Sequence, residues 1–437
     1  MGLEFRIAKK GKNKMAKITE YSKEELVTLK KELEAEYDKY VKANLSLDMS
    51  RGKPAPTQLD ITNDLLGSLE EYTTKEGLDA RNYGVLDGIP EMKKIFSDLT
   101  GIEEKNIIVG GNSSLNLMYD SFTRLFLFGA LGNTPWCKLE KVKFLCPAPG
   151  YDRHFAICED LGVEMITVPM LQDGPDMDVV EELAAKDDSI KGIWCVPLYS
   201  NPQGICYSDE TVKRLASMKT AASDFRIFWD NAYGVHPIFE EVSLLDIFTE
   251  AKKAGNEDRI MYFFSTSKIT FPGAGVAMMA ARDANIKEIK SHMTVQTIGH
   301  DKLNQLRHVK YFKNAENVKA HMAKLAEELK PKFSLVLEKL DKELKDTGLA
   351  SWCSPKGGYF IALDTLEGCA KETVRLAKEA GVVMTGAGAT FPYKKDPKDS
   401  NIRIAPTYPS LDELSQAIEL FCLCVKLAGV NKLLESK

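Results

Sequence analysis

Two kinds of hydrophobic pattern alternate along most of the chain. Between residues 60 and 300, short apolar runs typical of buried strands alternate with stretches whose apolar positions recur every three or four residues, as in helices that face a core. The predicted strands cover residues 106–109, 142–146, 164–168, 192–198, 225–229 and 260–264. The clearest predicted helices cover residues 90–99, 114–128 and 209–220. Strands that are apolar on both faces and separated by helices indicate a mainly parallel sheet covered on both sides.

Beyond residue 300 the pattern changes to longer, more charged helices and shorter strands. A helical stretch over residues 313–346, interrupted at Pro331, is followed by an apolar run at 357–363 and a helix at 371–380. A short strand at 401–405 then precedes the last helix. This order of elements predicts a second, smaller α+β domain.

Two predicted helices begin with the same signature, a serine followed three residues later by a glutamate. Ser22 with Glu25 opens a helix over residues 22–42, and Ser410 with Glu413 opens the last helix. The apolar residues of the first helix fall on one face, so we expect it to pack against another part of the chain. The predicted organisation has four parts: a flexible leader (1–14), an N-terminal helix and arm that packs with the small domain (15–59), a large domain (60–300) and the small C-terminal domain (301–437).

Composition and charge argue against several classes of function. The chain has 437 residues, 44% of them hydrophobic, and a formal net charge of -5 with no large block of one sign. We therefore expect no nucleic-acid binding, and because no apolar run is long enough to span a bilayer we expect no membrane insertion. The nine cysteines and six histidines show no metal-ligand spacing, so we predict no metal site and a reducing, cytoplasmic location. The basic leader fits either a flexible tail or a targeting segment.

The stretch around residues 260–275 is the first candidate for chemistry. A buried strand ends in Ser265-Thr266-Ser267-Lys268, and a turn rich in glycine and proline follows. A lysine at the mouth of a buried strand loses hydration, which favours its neutral, nucleophilic amine. The neighbouring serine hydroxyls can hold a phosphate. On its own, such a tetrapeptide is more often a plain turn with a solvated lysine.

Four other predicted strands also end in polar or aromatic residues, and parallel strands bring their carboxyl ends to one edge of a sheet. These residues are Gly110 to Ser114 after the strand at 106–109, Tyr151 after 142–146, Asn201 after 192–198, and Asp230 with Tyr233 after 225–229. Small residues ahead of a helix suit a phosphate at its N-terminus. Taken singly, Asp230 can cap a helix, Asn201 can form a turn and Tyr151 can lie in a core. Taken together, an amine, a carboxylate, an aromatic ring, an amide and a phosphate cradle indicate pyridoxal 5'-phosphate.

The motifs, and the order in which they occur along the chain, resemble those of the class I/II, fold-type I aminotransferases, which depend on pyridoxal phosphate. The resemblance runs from about residue 45 to the C-terminus. It is carried by residues 50–54 (SRGKP), 82–88 (NYGVLDG), 200–204 (SNPQG), 230–233 (DNAY), 265–268 (STSK) and 401–406 (NIRIAP). The nearest subgroup is a divergent set of aspartate aminotransferases related to the aminotransferase domain of MocR-type regulators. The resemblance implies an α/β fold whose large domain has a mainly parallel seven-stranded sheet between helices and is joined to a smaller α+β C-terminal domain.

The resemblance also implies a role for each matching residue. Lys268 forms a Schiff base with the cofactor and moves protons, while Asp230 pairs with the pyridine nitrogen. Tyr233 and Asn201 hydrogen-bond the ring oxygen, and Arg403 binds the substrate α-carboxylate through its planar fork. The other implied contacts are Tyr151 on the ring face, Gly111, Asn112, Ser113 and Ser265 at the phosphate, Asn201 beside the substrate, and Tyr83 at the phosphate of the neighbouring subunit of a homodimer.

The chain departs from that family in one place. Most relatives carry an arginine shortly after the lysine as a phosphate ligand, whereas residues 272–277 here read PGAGVA. Hydroxyl groups, backbone amides or a distant basic residue must then meet the phosphate charge. Ser267 and Thr270 are the nearest hydroxyl candidates.

The subgroup points to aspartate or glutamate as the amino donor, with 2-oxoglutarate or oxaloacetate as the partner. A dicarboxylic substrate needs a second cation or a set of strong donors, and the candidate cations are Arg51, Lys53, Arg153 and Arg307. We favour Arg51 because it adjoins Gly52, whose lack of a side chain lets the backbone approach a ligand.

Two other functions fit parts of the same sequence. The cofactor also supports lyase and decarboxylase reactions on amino acids, and the pocket decides among them. Some transcription regulators carry such a domain as a binding module, but they need an N-terminal DNA-binding helix-turn-helix, and only one clear helix precedes residue 45. Transamination is therefore the leading prediction.

Overall fold

The computed structural model of the chain describes residues 16–437, so the predicted leader over residues 1–14 lies outside the described residues. The helices are α1 (Lys23–Ala43), α2 (Pro56–Asp60), α3 (Pro90–Thr100), α4 (Ser114–Phe128), α5 (Asp152–Asp160), α6 (Met177–Lys186), α7 (Asp209–Ser217), α8 (Ile247–Lys253), α9 (Asp283–Gln296), α10 (Lys302–Phe312), α11 (Ala315–Leu344), α12 (Ala370–Glu379) and α13 (Leu411–Glu435). The strands are β1 (Leu47–Asp48), β2 (Ile107–Val109), β3 (Lys143–Ala148), β4 (Glu164–Leu171), β5 (Gly174–Pro175), β6 (Ile190–Cys195), β7 (Arg226–Asp230), β8 (Ile260–Ser265), β9 (Ala277–Ala280), β10 (Ala350–Trp352), β11 (Ile361–Thr365), β12 (Val382–Val383) and β13 (Asn401–Ile404).

The main sheet has the strand order β2-β9-β8-β7-β6-β3-β4-β5. Strands β4, β3, β6, β7 and β8 pair in parallel, and β9 runs antiparallel to both of its neighbours. The predicted mainly parallel sheet is confirmed, with eight strands rather than seven. The additional strand, β5, has only two residues and pairs antiparallel to the end of β4, too short to leave a hydrophobic pattern in the sequence.

Side chains from alternate positions of the central strands enter two different cores. In β7, Ile227 and Trp229 belong to the core on one face of the sheet, whereas Phe228 belongs to the core on the other. On that second face, Phe122 of α4 stacks on Trp194 of β6 with ring centres 5.7 Å apart. Both faces are therefore covered, which is why the central strands read as unbroken apolar runs.

A third core holds the C-terminal part of the chain together. It joins α1, the second half of α11, α12, α13 and the antiparallel sheet β10-β11-β13. Leu325 of α11 packs with the main sheet, whereas Leu329 and Phe333 pack in the third core, so α11 spans both. The interruption predicted at Pro331 is wrong, because the helix continues through it. Buried side chains on both sides of Pro331 hold the helix despite the missing backbone hydrogen bond.

The C-terminal part meets the main sheet at a tight backbone contact. Gly358 N donates to His236 O at 2.9 Å. Gly358 has a φ of 87°, and a Cβ at this position would lie 2.9 Å from Cβ of Tyr199, so only glycine fits. The contact brings the loop ahead of β11 against the segments that follow β6 and β7.

Two classes of feature are absent from the described part of the chain. Across residues 16–437, no helix combines the length and the apolar character that crossing a bilayer requires. In the same range, no three His, Cys, Asp or Glu side chains gather in a way that would hold a metal ion.

Candidate active site

A cavity opens at the carboxyl ends of the central strands. It encloses about 430 Å³ of space, part of it open to solvent. The lining residues are Ser113, Ser114, Leu115, Tyr151, Val196, Asn201, Asp230, Ala232, Tyr233, Ser265, Ser267 and Lys268. The structure thus brings together all the predicted cofactor residues except Gly111, Asn112 and Tyr83.

Lys268 lies just beyond the end of β8. Its Nζ is 4.8 Å from the centre of the Tyr233 ring and 6.0 Å from that of Tyr359. Thr270 N donates to Thr266 O at 2.8 Å, which closes a tight turn around the lysine. The end of a fully buried strand and this turn together hold one amine against two aromatic rings.

Asp230 ends β7 and is only 2% exposed. Its Oδ2 accepts a hydrogen bond from His154 Nε2 at 3.0 Å. Its Oδ1 is buried and has no hydrogen-bond partner among the described residues. A buried carboxylate oxygen without a hydrogen bond costs free energy. Oδ1 can therefore accept a hydrogen bond from a donor on a bound group.

His154 is a site residue that the sequence pattern did not reveal. Its ring stacks on Trp194 with centres 4.4 Å apart and an interplanar angle of 11°. Tyr151 meets the same histidine edge to face at 4.9 Å. The available signal was spacing, because residues three apart lie on one side of a helix turn and α5 begins directly after Tyr151.

The two tyrosines of the cavity keep their protons at neutral pH. Burial raises the pKa of Tyr151 to about 12, although the charge of Lys268 acts in the opposite direction. Burial, and next the charge of Asp230, raise the pKa of Tyr233 well above its ordinary value. Both phenols are therefore available as hydrogen-bond donors.

Hydroxyl groups line the end of the cavity nearest α4. Ser113 caps that helix, and its Oγ accepts from Leu115 N at 3.2 Å. Ser265 Oγ donates to Ser267 Oγ at 3.1 Å, and Ser267 Oγ donates to the carbonyl of Asn112 at 2.9 Å. These hydroxyls face the N-terminus of a helix of 15 residues, where free N–H groups and the helix dipole favour an anion.

Gly111 and Asn112 contribute backbone to this cradle. The carbonyl of Gly111 accepts from Ala277 N at 2.8 Å, which ties the loop to β9. A Cβ on Gly275 would lie 2.9 Å from the Asn112 carbonyl oxygen. The loop after Lys268 can therefore close onto the cradle only because Gly275 has no side chain.

A neutral cluster lies beside the segment that follows Lys268. Thr266 Oγ1 accepts from Val276 N at 2.9 Å, and Thr270 Oγ1 lies 3.0 Å from His308 Nε2. Burial lowers the pKa of His308 to about 4, so the ring is uncharged at neutral pH. Thr270 thus bonds within this cluster and does not line the cavity, unlike Ser267. His308 is another residue that the sequence analysis missed, because it lies 40 positions beyond Lys268 with no motif around it.

Arg403 projects from β13 to the edge of the cavity. Its Nη1 donates to Asp152 Oδ1 at 2.9 Å and to Asn201 Oδ1 at 3.2 Å, and its Nη2 donates to Thr385 Oγ1 at 3.5 Å. Its guanidinium carbon is 4.8 Å from the centre of the Phe360 ring. Its Nε is buried without a hydrogen-bond partner in residues 16–437. The guanidinium is therefore fixed by contacts on several sides, and its Nε–H is available to a ligand.

Gly52 and Arg51 lie beside these contacts. A Cβ on Gly52 would lie 2.2 Å from Cζ of Phe360, so glycine lets that ring sit under Arg403. The carbonyl of Ser50 accepts from Thr385 Oγ1 at 2.8 Å. The Arg51 side chain is exposed, and no carboxylate of the described residues pairs with it. Arg51 therefore lies near Arg403 without lining the cavity.

The other three candidate cations have different surroundings. The Nζ of Lys53 lies 3.9 Å from the centre of the Tyr408 ring. Arg153 is exposed on α5, and Arg307 Nη2 donates to Asn304 Oδ1 at 2.5 Å. None of the three lines the cavity.

Tyr83 lies outside the cavity of its own chain and is 79% exposed. The loop that carries it packs against Gly299, since a Cβ there would lie 2.6 Å from the Gly84 carbonyl oxygen. Nearby, Val295 and Ile298 are 90% and 61% exposed. These residues form an exposed apolar surface, called the Tyr83 patch below.

His236 is a further residue that the sequence analysis missed. It is 2% exposed and meets the rings of Tyr233 and Tyr359 edge to face, at 5.7 and 6.1 Å. Neither ring nitrogen has a partner of good hydrogen-bond geometry in the described chain. Burial, and next the charge of Lys268, lower the pKa of His236 to about 3. An uncharged imidazole therefore lies close to Lys268.

The chain is similar to known proteins along nearly its whole length. A family model described as aspartate amino-transferase matches residues 21–437. An aspartate aminotransferase of Corynebacterium glutamicum is 44% identical over 418 residues, which cover 95% of this chain and 96% of the relative. A Mycolicibacterium smegmatis protein named as an aminotransferase is 50% identical over 399 residues, which cover 90% and 93%.

Solved structures agree with these matches. An aspartate transaminase from Corynebacterium glutamicum superposes with a TM-score of 0.94 at 44% identity, covering 96% of this chain and 100% of that one. The α-aminoadipate aminotransferase of Thermus thermophilus, solved with N-(5'-phosphopyridoxyl)-L-leucine, superposes with a TM-score of 0.72 over 89% of this chain and 93% of its own. At 22% identity, the second match bears on the fold alone. The predicted fold type is confirmed.

Proposed function

This chain belongs to the aspartate aminotransferase family, and we propose that it transfers the amino group of aspartate to a 2-oxo acid in the cavity described above. As a member of that family it is an aminotransferase that depends on pyridoxal 5'-phosphate. The lyase, decarboxylase and regulatory interpretations are not favoured, because relatives 44% and 50% identical to it are aminotransferases. The choice of aspartate and the roles of individual residues are the parts that we propose.

The proposal rests most directly on Lys268 and the unpartnered Oδ1 of Asp230, which face one cavity. The cofactor carries an aldehyde and a pyridine nitrogen, and these are the groups that a free amine and a buried carboxylate would bind. A protonated pyridine nitrogen would satisfy Oδ1, which otherwise has no partner in the described chain. When bound, the cofactor supplies an electron sink for the negative charge that develops at the substrate α-carbon.

Lys268 has two tasks in this scheme. Its Nζ would hold the cofactor at the aldehyde, and the same amine, once free, would carry the proton between the substrate α-carbon and the cofactor. The rings of Tyr233 and Tyr359 border the space in which that amine moves. The phenol of Tyr233 and the amide of Asn201 would hold the ring oxygen, and Tyr151 would cover the ring face.

The phosphate group would be held by neutral donors. The hydroxyls of Ser113, Ser265 and Ser267 and the first N–H groups of α4 converge on one end of the cavity, with the backbone of Gly111 and Asn112 behind them. Apart from Lys268, no lysine or arginine of residues 16–437 lines the cavity. The helix dipole would then supply part of the positive potential that relatives obtain from their arginine.

Arg403 would bind the substrate α-carboxylate, next to Asn201. The buried Nε has no partner in the described chain and Nη2 has only a long contact, which leaves donors for a carboxylate. For the distal carboxylate we propose Arg51, on the segment that also supplies Gly52. The Ser50 carbonyl and Thr385 Oγ1 connect this segment to Arg403.

We also propose that the enzyme is a homodimer in which Tyr83 reaches the phosphate of the partner subunit. The Tyr83 patch supports this, because an apolar surface of this kind is usually covered in an assembly. We also propose a cytoplasmic location, on the basis of the cysteines. All nine cysteines are unpaired in the structure, as expected in a reducing compartment.

A donor screen tests the proposal. Purified enzyme with 2-oxoglutarate should form glutamate and oxaloacetate in equal amounts from aspartate, and much less product from alanine or aromatic amino acids. In Arg51→Ala, turnover of aspartate should fall far more than turnover of alanine, because alanine has no distal carboxylate. A wild-type preference for aromatic or aliphatic donors would contradict aspartate as substrate and leave the aminotransferase activity intact.

A further inference from the structure

Arg403 forms an ion pair with a carboxylate of its own chain. Its Nη1 pairs with Asp152 Oδ1 at 2.9 Å, and the two side chains are 9% and 35% exposed. Asp152 is the first residue of α5 and directly follows Tyr151, so the backbone places it at the edge of the cavity. One guanidinium would therefore serve this carboxylate and that of the substrate.

Asp152 is not required to hold the guanidinium in place. Asn201 Oδ1 accepts from the same Nη1 at 3.2 Å, Thr385 Oγ1 lies 3.5 Å from Nη2, and the Phe360 ring lies 4.8 Å below. These three contacts come from segments that follow β6, follow β12 and precede β11. The contact with Asp152 differs from them in adding a full negative charge.

The Asp152 side chain is also free to move. Within residues 16–437, its only hydrogen bond is the one to Arg403. A third of its surface is already in water, so release from the arginine would not strand a buried charge.

We propose that Asp152 is an internal competitor of the substrate, a carboxylate that partly neutralises Arg403 between turnovers and weakens the binding of every α-carboxylate. The inference rests on the proposed role of Arg403. Two carboxylates at one guanidinium repel each other, so substrate and product bind less tightly than they would to an unpaired arginine. Weakening both alike raises KM and helps the product to leave.

The test is the affinity of Asp152→Asn for succinate, a dicarboxylate with no amino group, measured by titration calorimetry on the cofactor-loaded enzyme. Asparagine keeps an oxygen acceptor for Nη1 and removes the charge. We expect the dissociation constant to fall about 3- to 10-fold, an effect limited by the partial exposure of the pair. The KM for aspartate should fall with it. Unchanged or weaker binding would mean that Asp152 only holds Arg403 in position, and would overturn the proposal.

Asp209→Asn is the matched control. Asp209 is likewise the first residue of its helix, α7, and is exposed outside the cavity. This variant loses the same helix-terminal charge and should bind succinate as the wild type does. Equal tightening in both variants would assign the effect to net charge and contradict the inference. If Asp152→Asn does not fold, Asp152→Ser replaces it in the same titration.

Arg403→Ala separates this inference from the proposal on which it depends. If Arg403→Ala binds succinate as tightly as the wild type, the carboxylate role of Arg403 fails, and the competitor role fails with it. If Arg403→Ala binds weakly while Asp152→Asn shows no tightening, only the competitor role fails.

Discussion

His154 Nε2 lies 3.0 Å from Asp230 Oδ2, and the two side chains are 2% and 3% exposed. The contact determines which carboxylate oxygen is occupied and leaves Oδ1 for a bound group. Trp194 stacks on the imidazole and limits its rotation. Residues 76 positions apart, on α5 and β7, thus set the direction of one carboxylate.

Replacing His154 should weaken cofactor binding. In His154→Phe the buried Asp230 loses its hydrogen bond, and a bond to a charged group is worth about 1.5–3 kcal/mol, so we expect affinity for pyridoxal phosphate to fall about 10- to 100-fold. Fluorescence titration of the apoenzyme measures this. His154→Asn, which keeps a donor, should lose less. Wild-type affinity in His154→Phe would show that the contact does not position Asp230.

His236 should make the protein sensitive to acid. Its folded pKa of about 3 lies below the ordinary value of 6.5, so the unfolded chain takes up a proton first. The stability contributed by this neutral ring is present above pH 6.5 and is lost as the pH falls towards 3. At pH 5, His236→Gln should reduce the slope of unfolding free energy against pH by about 1.4 kcal/mol per pH unit.

Chemical unfolding at several pH values checks this prediction. Between pH 7.5 and 8.5 wild type and variant should run parallel, which serves as the internal control. Identical slopes at pH 5 would mean that the buried ring is protonated as easily as a free one.

Arg403→Ala should damage turnover of every amino acid donor. Loss of the charged partner in a mostly desolvated site costs about 2–5 kcal/mol in transition-state stabilisation, which lowers kcat/KM by a factor of about 30 or more. Arg375→Ala is the control, because Arg375 pairs with Glu372 and Glu379 on the surface of α12 and lies outside the residues lining the cavity. A similar loss for both arginines, or none for Arg403, would argue against the carboxylate role.

The Tyr83 patch should mark the dimer interface. Val295→Asp introduces a charge where the side chain is 90% exposed in the single chain, so it should leave folding intact and dissociate the dimer. Sedimentation velocity measures the assembly. Val27→Asp, at a 40% exposed valine of α1, should remain dimeric. A dimer unaffected by Val295→Asp would place the interface elsewhere.

Strands that form the cavity were readable from the sequence because they are buried on both faces. The predicted strand at 225–229 is observed at Arg226–Asp230, and the predicted helix at 114–128 is observed at Ser114–Phe128. Their ends carry Asp230 and Ser113, so the predicted grouping at one sheet edge followed from topology alone. That inference needed no knowledge of side-chain contacts.

The residues that contact the predicted site residues could not be predicted from the sequence, because long-range contacts determine their roles. His154, His236 and His308 act through contacts with segments far away in the chain, and the sequence offered only the spacing of His154 from Tyr151 as a local signal. The partner of Arg403 was equally hidden. Asp152 lies 251 positions earlier, and only the fold brings the two together.

The measurement that tests the central claim most directly is borohydride reduction of the purified enzyme, followed by peptide mass spectrometry. Of the residues that the structure describes, Lys268 is the one lysine lining the cavity, and Asp230 lines the same cavity. We predict that reduction fixes the cofactor to the peptide that contains Lys268, and that Lys268→Ala carries no fixed cofactor. Cofactor fixed to a different lysine in the wild type, or none fixed at all, would contradict the account.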